Sequence, residues 1–261
     1  MRKAVFFDID GTLWDWNMQV PKSTITAIHR LRENGTYAFI CSGRSRGAIR
    51  AKELLEDIGF DGIVAGCGTH IEYQGELIFE KNLSQEEITF LLECFQTYNT
   101  PAILEGKRYL YADRETFGGD PYIEYLENIL GNGFLTIKDH KGNYEANKVS
   151  IDITKGDVEG IQNALSKRYE LICHGIKVME IVPKGFSKAS GIRQVCGYLN
   201  IPREHTYAFG DGENDIEMLR YANYGIAMGN ATKEAKAAAD YVTTDIKEDG
   251  IFNGLKHFEL I

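Results

Sequence analysis

The feature that most constrains the fold is an apolar run near the start of the chain that stops at two aspartates. Ala4–Phe7 is short and rich in aromatic residues, and a Gly11-Thr12 turn follows, so we predict a buried strand of a parallel sheet. Asp8 and Asp10 come just after this strand, where open α/β sheets bind their ligands. Residues two apart in an extended segment point the same way, so both carboxylates are expected to face one ligand.

Strand and helix patterns alternate through the first third of the chain and return near its end. The chain has 261 residues, which is enough for two modest domains. Its alternating patterns predict an α/β fold, a doubly wound parallel sheet of Rossmann-like form with right-handed crossovers. The predicted elements of this part are strands at 4–7, 37–41, 63–65, 205–209 and 224–228, and helices at 25–31, 48–58, from 187, from 216 and at 233–239.

The middle of the chain has a different pattern, with a capping-box sequence at Ser84–Glu87 and several short strand patterns. Residues 149–153 alternate between apolar and polar side chains, which predicts a half-solvated strand. We therefore expect residues 83–183 to form an inserted α+β cap domain. Residues 1–82 and 184–261 would together form the discontinuous core domain.

The formal net charge of −9 is unfavourable for binding nucleic acid or an anionic membrane surface, and no long Lys/Arg run offsets it. No apolar stretch approaches the length of a membrane span. The five cysteines are widely spaced, which favours reduced thiols and a cytoplasmic location over a disulfide framework or zinc site. The sequence leaves the oligomeric state open.

Polar signatures follow three of the predicted core strands. They are Asp8/Asp10, Ser42-Gly43-Arg44 and Asp211/Asp215, and Lys188 lies at the start of a predicted helix. The carboxyl ends of parallel strands share one edge of a sheet, so these groups are expected to converge. Four carboxylates and one lysine would repel a phosphate dianion. The same oxygen-rich cluster suits a hard divalent cation such as Mg²⁺, which we predict to be obligatory.

These segments resemble the four motifs of the haloacid dehalogenase-like phosphohydrolases, in the same order along the chain. The first is Asp8–Thr12, the second is Ser42–Arg44, and the third and fourth correspond to Pro183–Lys188 and Gly210–Asp215. The insertion between the second and third motifs resembles the C2-type cap of the Cof-type subfamily. One departure is Cys67, where members of this subfamily often carry asparagine.

The resemblance implies a role for each matching residue. Asp8 would be the nucleophile that forms an aspartyl-phosphate, and Asp10 the general acid and base. Mg²⁺ would be held by the Asp8 side chain, the Asp10 backbone carbonyl and Asp211. Asp215 would orient Lys188 and a metal-bound water. The phosphoryl oxygens would be bound by the amides of Ile9 and Gly43 and by the side chains of Ser42, Lys188 and Asn214.

Several alternatives stay open at this point. Ser42 could cap the following helix, Lys188 could be a surface lysine, and Asn214 and Asp215 could be ordinary helix N-terminal residues. Trp14 and Trp16 could line the opening of the cap or pack in the core. The six histidines have no metal-ligand spacing and are predicted to be surface or packing residues.

The functional hypothesis is a magnesium-dependent phosphatase for small phosphorylated metabolites, sugar phosphates first and nucleotide or flavin mononucleotide-type phosphates next. A phosphomutase or a dedicated sugar-phosphate phosphatase is the nearest alternative. A non-catalytic sugar-phosphate sensor is the alternative from another class. The substrate itself, and the cap residues that select it, are not encoded in any motif.

Overall fold

The computed structural model describes residues 2–261, which form two β-sheets with helices on their faces. The strands are β1 (Ala4–Phe7), β2 (Tyr37–Cys41), β3 (Gly62–Ala65), β4 (His70–Tyr73), β5 (Glu76–Glu80), β6 (Ala102–Glu105), β7 (Leu110–Ala112), β8 (Phe134–Leu135), β9 (Lys148–Asp152), β10 (Tyr169–His174), β11 (Val178–Pro183), β12 (Thr206–Gly210), β13 (Tyr224–Ala227) and β14 (Tyr241–Val242). The α-helices are α1 (Lys22–Glu33), α2 (Gln85–Thr97), α3 (Pro121–Leu130), α4 (Val158–Leu165), α5 (Lys188–Leu199), α6 (Ile216–Tyr221), α7 (Lys233–Ala238) and α8 (Gly250–His257).

The first sheet has the strand order β14-β13-β12-β1-β2-β3-β4-β5. Strands β14 to β3 are parallel, and the β4–β5 hairpin extends the edge in antiparallel fashion. The chain order reverses between β1 and β12, and at such a point the carboxyl ends of the strands open a crevice. The predicted α/β class with a parallel core sheet is confirmed.

Both faces of this sheet are covered, which explains why its strands are apolar throughout. Val5 and Phe7 belong to the apolar layer that includes the buried side chains of α1 and α8. Ala4 and Phe6 belong to the opposite layer, with those of α5 and α6. Alternate residues of β1 therefore anchor opposite layers, and β1 is held firmly at the centre of the sheet.

The second sheet has the strand order β10-β11-β9-β6-β7-β8 and is antiparallel except for the β7–β8 pair. Helices α2 and α4 pack on one face of it. We call residues 83–183 the cap; their division from the core at these residues stays a prediction. Within residues 2–261, no helix has the length and apolar character needed to cross a bilayer.

Two local predictions were wrong. The predicted helix at 48–58 is instead a 3₁₀ turn at Arg46–Ala48 and a π-helical turn at Glu53–Asp57. The carbonyl of Ile49, which a continuous helix would use, accepts a hydrogen bond from the Arg46 guanidinium at 3.1 Å. The strand at 149–153 is also not half-solvated, because Lys148 and Asp152 on its polar side are buried.

Candidate active site

A cavity of 670 Å³ lies between the carboxyl ends of the core strands and the cap sheet. Six of the predicted site residues line it, namely Asp8, Asp10, Ser42, Gly43, Asp211 and Asn214. The other three predicted residues, Ile9, Lys188 and Asp215, lie in the buried layer beneath. The topology thus brings together groups that are up to two hundred residues apart in the chain.

Lys188 holds two of the carboxylates together. It is the first residue of α5, and its fully buried side chain donates to Asp8 Oδ1 at 2.6 Å and to Asp215 Oδ1 at 2.5 Å. The Asp8 amide donates to the Phe209 carbonyl at 3.0 Å, which fixes the end of β1 to β12. A buried lysine between two carboxylates does not fit the alternative of a surface lysine.

Asp215 accepts hydrogen bonds from Lys188 and from two backbone amides. Its second oxygen accepts the amides of Asp211 at 2.8 Å and Gly212 at 2.9 Å. The Thr12 hydroxyl donates a hydrogen bond at 2.8 Å to a single oxygen of Asp211, Oδ1. One carboxylate oxygen from each of Asp8, Asp211 and Asp215 lies within 4.8 Å of the others.

The Gly11 turn brings the first motif close to Asp211. Gly11 has a φ of +82°, and a Cβ there would lie 2.2 Å from Asp211 Oδ2. Only glycine meets both requirements without strain. The turn thus allows the backbone after Asp10 to approach the Asp211 carboxylate closely.

Asp10 forms a two-point ion pair with Arg44, a residue that the sequence analysis placed in the second motif but gave no role. Arg44 Nε and Nη2 donate to the two Asp10 oxygens at 2.7 and 2.8 Å, and Trp14 Nε1 donates at 2.9 Å. Burial raises the pKa of Asp10, but the Arg44 guanidinium outweighs it, and the net pKa lies below its ordinary value. In this arrangement Asp10 is a carboxylate.

Ser42 is fully buried, and its hydroxyl accepts the Arg44 amide at 3.1 Å. The next helical turn has Ser45, not Ser42, at its N-cap, so the alternative of Ser42 as a helix cap was wrong. Within residues 2–261, the amides of Ile9 and Gly43 donate to no backbone carbonyl. Free amides beside the cavity are the type of donor that binds phosphoryl oxygens.

The electrostatics of the acidic cluster favour a bound cation. Burial, followed by the charge of Asp215, raises the pKa of Asp211 to about 7 and that of Asp8 well above its ordinary value. Lys188 loses hydration by burial, yet Asp215 and Asp8 keep its pKa raised. Asp8 and Asp211 offer the hard oxygen ligands that divalent metals such as Mg²⁺ prefer, so the donor set fits the cation that the motifs imply.

Comparison with known proteins identifies the family. The model of the haloacid dehalogenase-like hydrolase family matches residues 5–255. The chain belongs to this family. The resemblance to this family found in the sequence is confirmed, whereas the roles of the individual motif residues stay predictions.

Several relatives of this hydrolase carry phosphatase names. YkrA of Bacillus subtilis, named as a phosphatase, is 32% identical over 99% of this chain and 98% of its own length. YitU of the same organism, a 5-amino-6-(5-phospho-D-ribitylamino)uracil phosphatase, is 29% identical over 97% and 96%. The solved subclass IIB sugar phosphatase BT4131 is 32% identical, with a TM-score of 0.85 over 99% of this chain and 100% of that chain. This chain is accordingly a phosphatase.

The cap side of the hydrolase's site carries polar residues that no sequence motif predicted. The polar residues of the cap strands that line the cavity are Glu105, Ser150, Asp152, Lys148, Glu180 and, at the end of β10, His174. Alternation at residues 149–153 predicts a half-solvated strand, but the polar side of this strand lines the cavity. His174 also lines this cavity, a position that the sequence did not predict for any histidine.

The two tryptophans and Cys67 have distinct surroundings. Trp14 is buried against the site, whereas Trp16 is 79% exposed and lines the cavity.

Cys67, which replaces the asparagine often found in this subfamily, has a φ of +53° and donates its thiol to Glu180 Oε2 at 3.1 Å. Cys67 thus contacts the cap instead of lining the cavity.

Proposed function

We propose that this phosphatase is magnesium-dependent and hydrolyses small phosphorylated metabolites through an aspartyl-phosphate on Asp8. The observation that carries the proposal is the arrangement of Asp8, Asp211 and Lys188 at the floor of the cavity. Asp8 has one oxygen held by Lys188, which leaves the other for attack. The five cysteines are free thiols, in keeping with the reducing cytoplasm.

In the first step, an Asp8 oxygen attacks phosphorus while the bond from phosphorus to the leaving oxygen breaks and Asp10 gives that oxygen a proton. In the second step, water attacks the phosphorus, Asp10 takes the water's proton, and Asp8 is released together with inorganic phosphate. Because the Arg44 pair holds Asp10 ionised, the acid step requires this pair to loosen when substrate arrives and Asp10 to take up a proton from solvent water before the leaving oxygen receives it. The amides of Ile9 and Gly43, with Ser42, Lys188 and Asn214, would bind the phosphoryl oxygens.

Asp8, Asp211 and the Asp10 backbone carbonyl would hold Mg²⁺, and Asp215 would orient its surroundings through Lys188. When bound, the ion offsets the negative charge of the cluster, so that a dianion can approach Asp8. Asp215 would keep Lys188 beside Asp8.

The cap residues that line the cavity form a wall that favours a leaving group with hydroxyl groups and no second phosphate. Its lysines are already paired, Lys148 with Glu180 and Lys177 with Asp120. Carboxylates on this wall can accept hydroxyl protons, whereas they would repel another anion. We therefore place sugar and polyol monophosphates first, followed by nucleotide or flavin mononucleotide-type phosphates. The related sugar phosphatase supports this order, whereas a mutase that binds a bisphosphate is disfavoured.

A panel of phosphorylated metabolites, ranked by kcat/KM, tests the proposal. Activity should require Mg²⁺, disappear with EDTA and fall on the order of 10⁴-fold in Asp8→Asn. The matched control is Asp57→Asn, which neutralises an exposed core carboxylate outside the cavity and should retain full activity. Full activity in Asp8→Asn, or in EDTA, would refute the mechanism.

A further inference from the structure

A buried cap lysine reaches the second motif of the core. Lys148, at the start of β9, is 1% exposed, and its Nζ donates to the Gly43 carbonyl at 2.9 Å. The same Nζ pairs with Glu180 and lies 3.3 Å from Glu105. These three contacts can use all three protons of the ammonium group.

The Gly43–Arg44 peptide group is held from both sides. Lys148 binds its carbonyl from the cap, and the Ser42 hydroxyl accepts its N–H at 3.1 Å from the core. Arg44, whose amide belongs to this peptide, binds Asp10 through its side chain. The orientation of one peptide thus affects Ser42, the Gly43 amide and the Arg44–Asp10 pair together.

Glu180 strengthens the contact between cap and core. A Cβ on Gly43 would lie 2.8 Å from both Glu180 oxygens, so this carboxylate packs directly on the glycine backbone. Glu180 also accepts the Cys67 thiol from the core at 3.1 Å, and His174 Nε2 lies 2.8 Å from it. Breaking such a buried charged network costs free energy. We therefore expect the cap and the second motif to move as a unit while the cap is docked on the core.

We propose that Lys148 is a positioning residue that couples docking of the cap to the geometry of the phosphate-binding loop Ser42–Arg44. The inference rests on the proposed function, in which this loop binds phosphoryl oxygens. With the cap docked, Lys148 fixes the Gly43–Arg44 peptide. With the cap withdrawn, the loop loses this donor and binds phosphate more weakly. Turnover is thereby confined to the closed, water-excluding state.

The test is Lys148→Met, assayed with p-nitrophenyl phosphate and Mg²⁺, with inorganic phosphate as a competitive inhibitor. We expect the phosphate inhibition constant and KM to rise by about tenfold or more, since a preorganised binding loop is loosened. The matched control is Lys138→Met, which removes an exposed cap lysine paired with Glu115 and should leave both constants unchanged. A purely structural role of Lys148 would lower the melting temperature and the active fraction but leave both constants at their original values. That result, in folded Lys148→Met, would overturn the inference.

Lys148→Met removes the ammonium group that Glu105 and Glu180 share, so the double variant Lys148→Met/Glu180→Gln is made in parallel to restore the local charge balance. It should show the same rise in the phosphate inhibition constant. Hydrogen exchange on the unmodified protein gives an independent readout. Because coupling is reciprocal, inorganic phosphate with Mg²⁺ should slow exchange in β9, and unchanged exchange there would also contradict the inference.

Failure of the inference and failure of the proposed function give different results. If the unmodified enzyme is active and Asp8→Asn is inactive, but Lys148→Met keeps normal constants, only the role of Lys148 is lost. If Asp8→Asn is as active as the unmodified enzyme, the proposed mechanism itself fails.

Discussion

Asp8 and Asp211 follow the neighbouring strands β1 and β12, and their negative charges repel each other unless a cation lies between them. Lys188 offsets part of this charge from below, and Asp215 holds Lys188 in place. The positions of these side chains suit the binding of a cation, but their repulsion lowers the free energy of unfolding of the metal-free protein. The consequence should be visible in the pH dependence of the metal-free protein.

Burial, with the charge of Asp215, raises the pKa of Asp211 from 3.8 to about 7. Protonation of Asp211 contributes to the free energy of unfolding. This contribution is fully present below pH 3.8 and is lost as the pH rises through about 7. Asp211→Asn cannot ionise, so in EDTA it should gain free energy of unfolding relative to the unmodified protein between about pH 4 and pH 7. Urea titrations at several pH values measure the difference, and a constant difference would contradict the prediction.

Asp10 is predicted to protonate the leaving oxygen, so its importance should depend on the leaving group. Asp10→Asn should lower kcat/KM by about 10²–10⁴-fold for an alkyl phosphate such as a sugar phosphate. The loss should be much smaller for p-nitrophenyl phosphate, whose leaving group needs no proton. Equal losses for both substrates would argue against Asp10 as the acid.

At the scale of elements, the strands and helices place these side chains through ordinary local rules. β1 ends in the centre of a sheet that is packed on both faces, and α5 begins with Lys188 directly after its N-cap, Ser187. In the cap, β9 presents apolar residues to α2 and α4 and polar residues to the cavity. β1 therefore packs on both faces and places Asp8 at its end, whereas β9 packs on one face and presents polar groups on the other.

Helix α2 of the cap begins with a capping box that the sequence already predicted. Ser84 Oγ accepts the Glu87 amide at 3.1 Å, and the Ser84 amide donates to Glu87 Oε2 at 2.9 Å. Ser84→Ala should lower the free energy of unfolding by about 1 kcal/mol. Denaturant titration measures this loss of free energy. The control is Thr89→Ala, which removes an exposed hydroxyl that is hydrogen-bonded within the same helix, and it should change the free energy of unfolding little.

At the scale of the whole molecule, the cap closes a cavity of 670 Å³ over the ends of the core strands. That volume suits a small metabolite and excludes a folded protein. We therefore expect the size of the cavity to limit the substrate and the core residues to set the chemistry. Cap and core are linked through Lys148, Glu180 and Gly43.

Binding of Mg²⁺ should stabilise the folded enzyme, because the unfolded chain does not assemble the Asp8 and Asp211 ligands. At a Mg²⁺ concentration about 100 times the dissociation constant, the gain should be about 2.7 kcal/mol. Thermal unfolding with Mg²⁺ and with EDTA measures it. The shift should vanish in Asp211→Asn, and an undiminished shift in that variant would contradict the ligand assignment.

The sequence by itself determined the α/β class, the order of the four motifs and the residues at the ends of β1 and β12. This was possible because each signal is local: an apolar strand, a turn and the polar residues that follow directly. The capping box at Ser84 was predictable for the same reason. The helix predicted at 48–58 failed because a side chain, Arg46, took the place of a backbone donor.

Only the tertiary structure decided which polar residues of the cap face the cavity and that Arg44 binds Asp10. Lys148 and Gly43 are 105 residues apart, and their contact depends on how the cap sheet docks on the core. The alternating pattern of β9 is the same whether its polar side meets water or a cavity. Local periodicity sets which residues share a face, but only packing between the sheets determines what that face contacts.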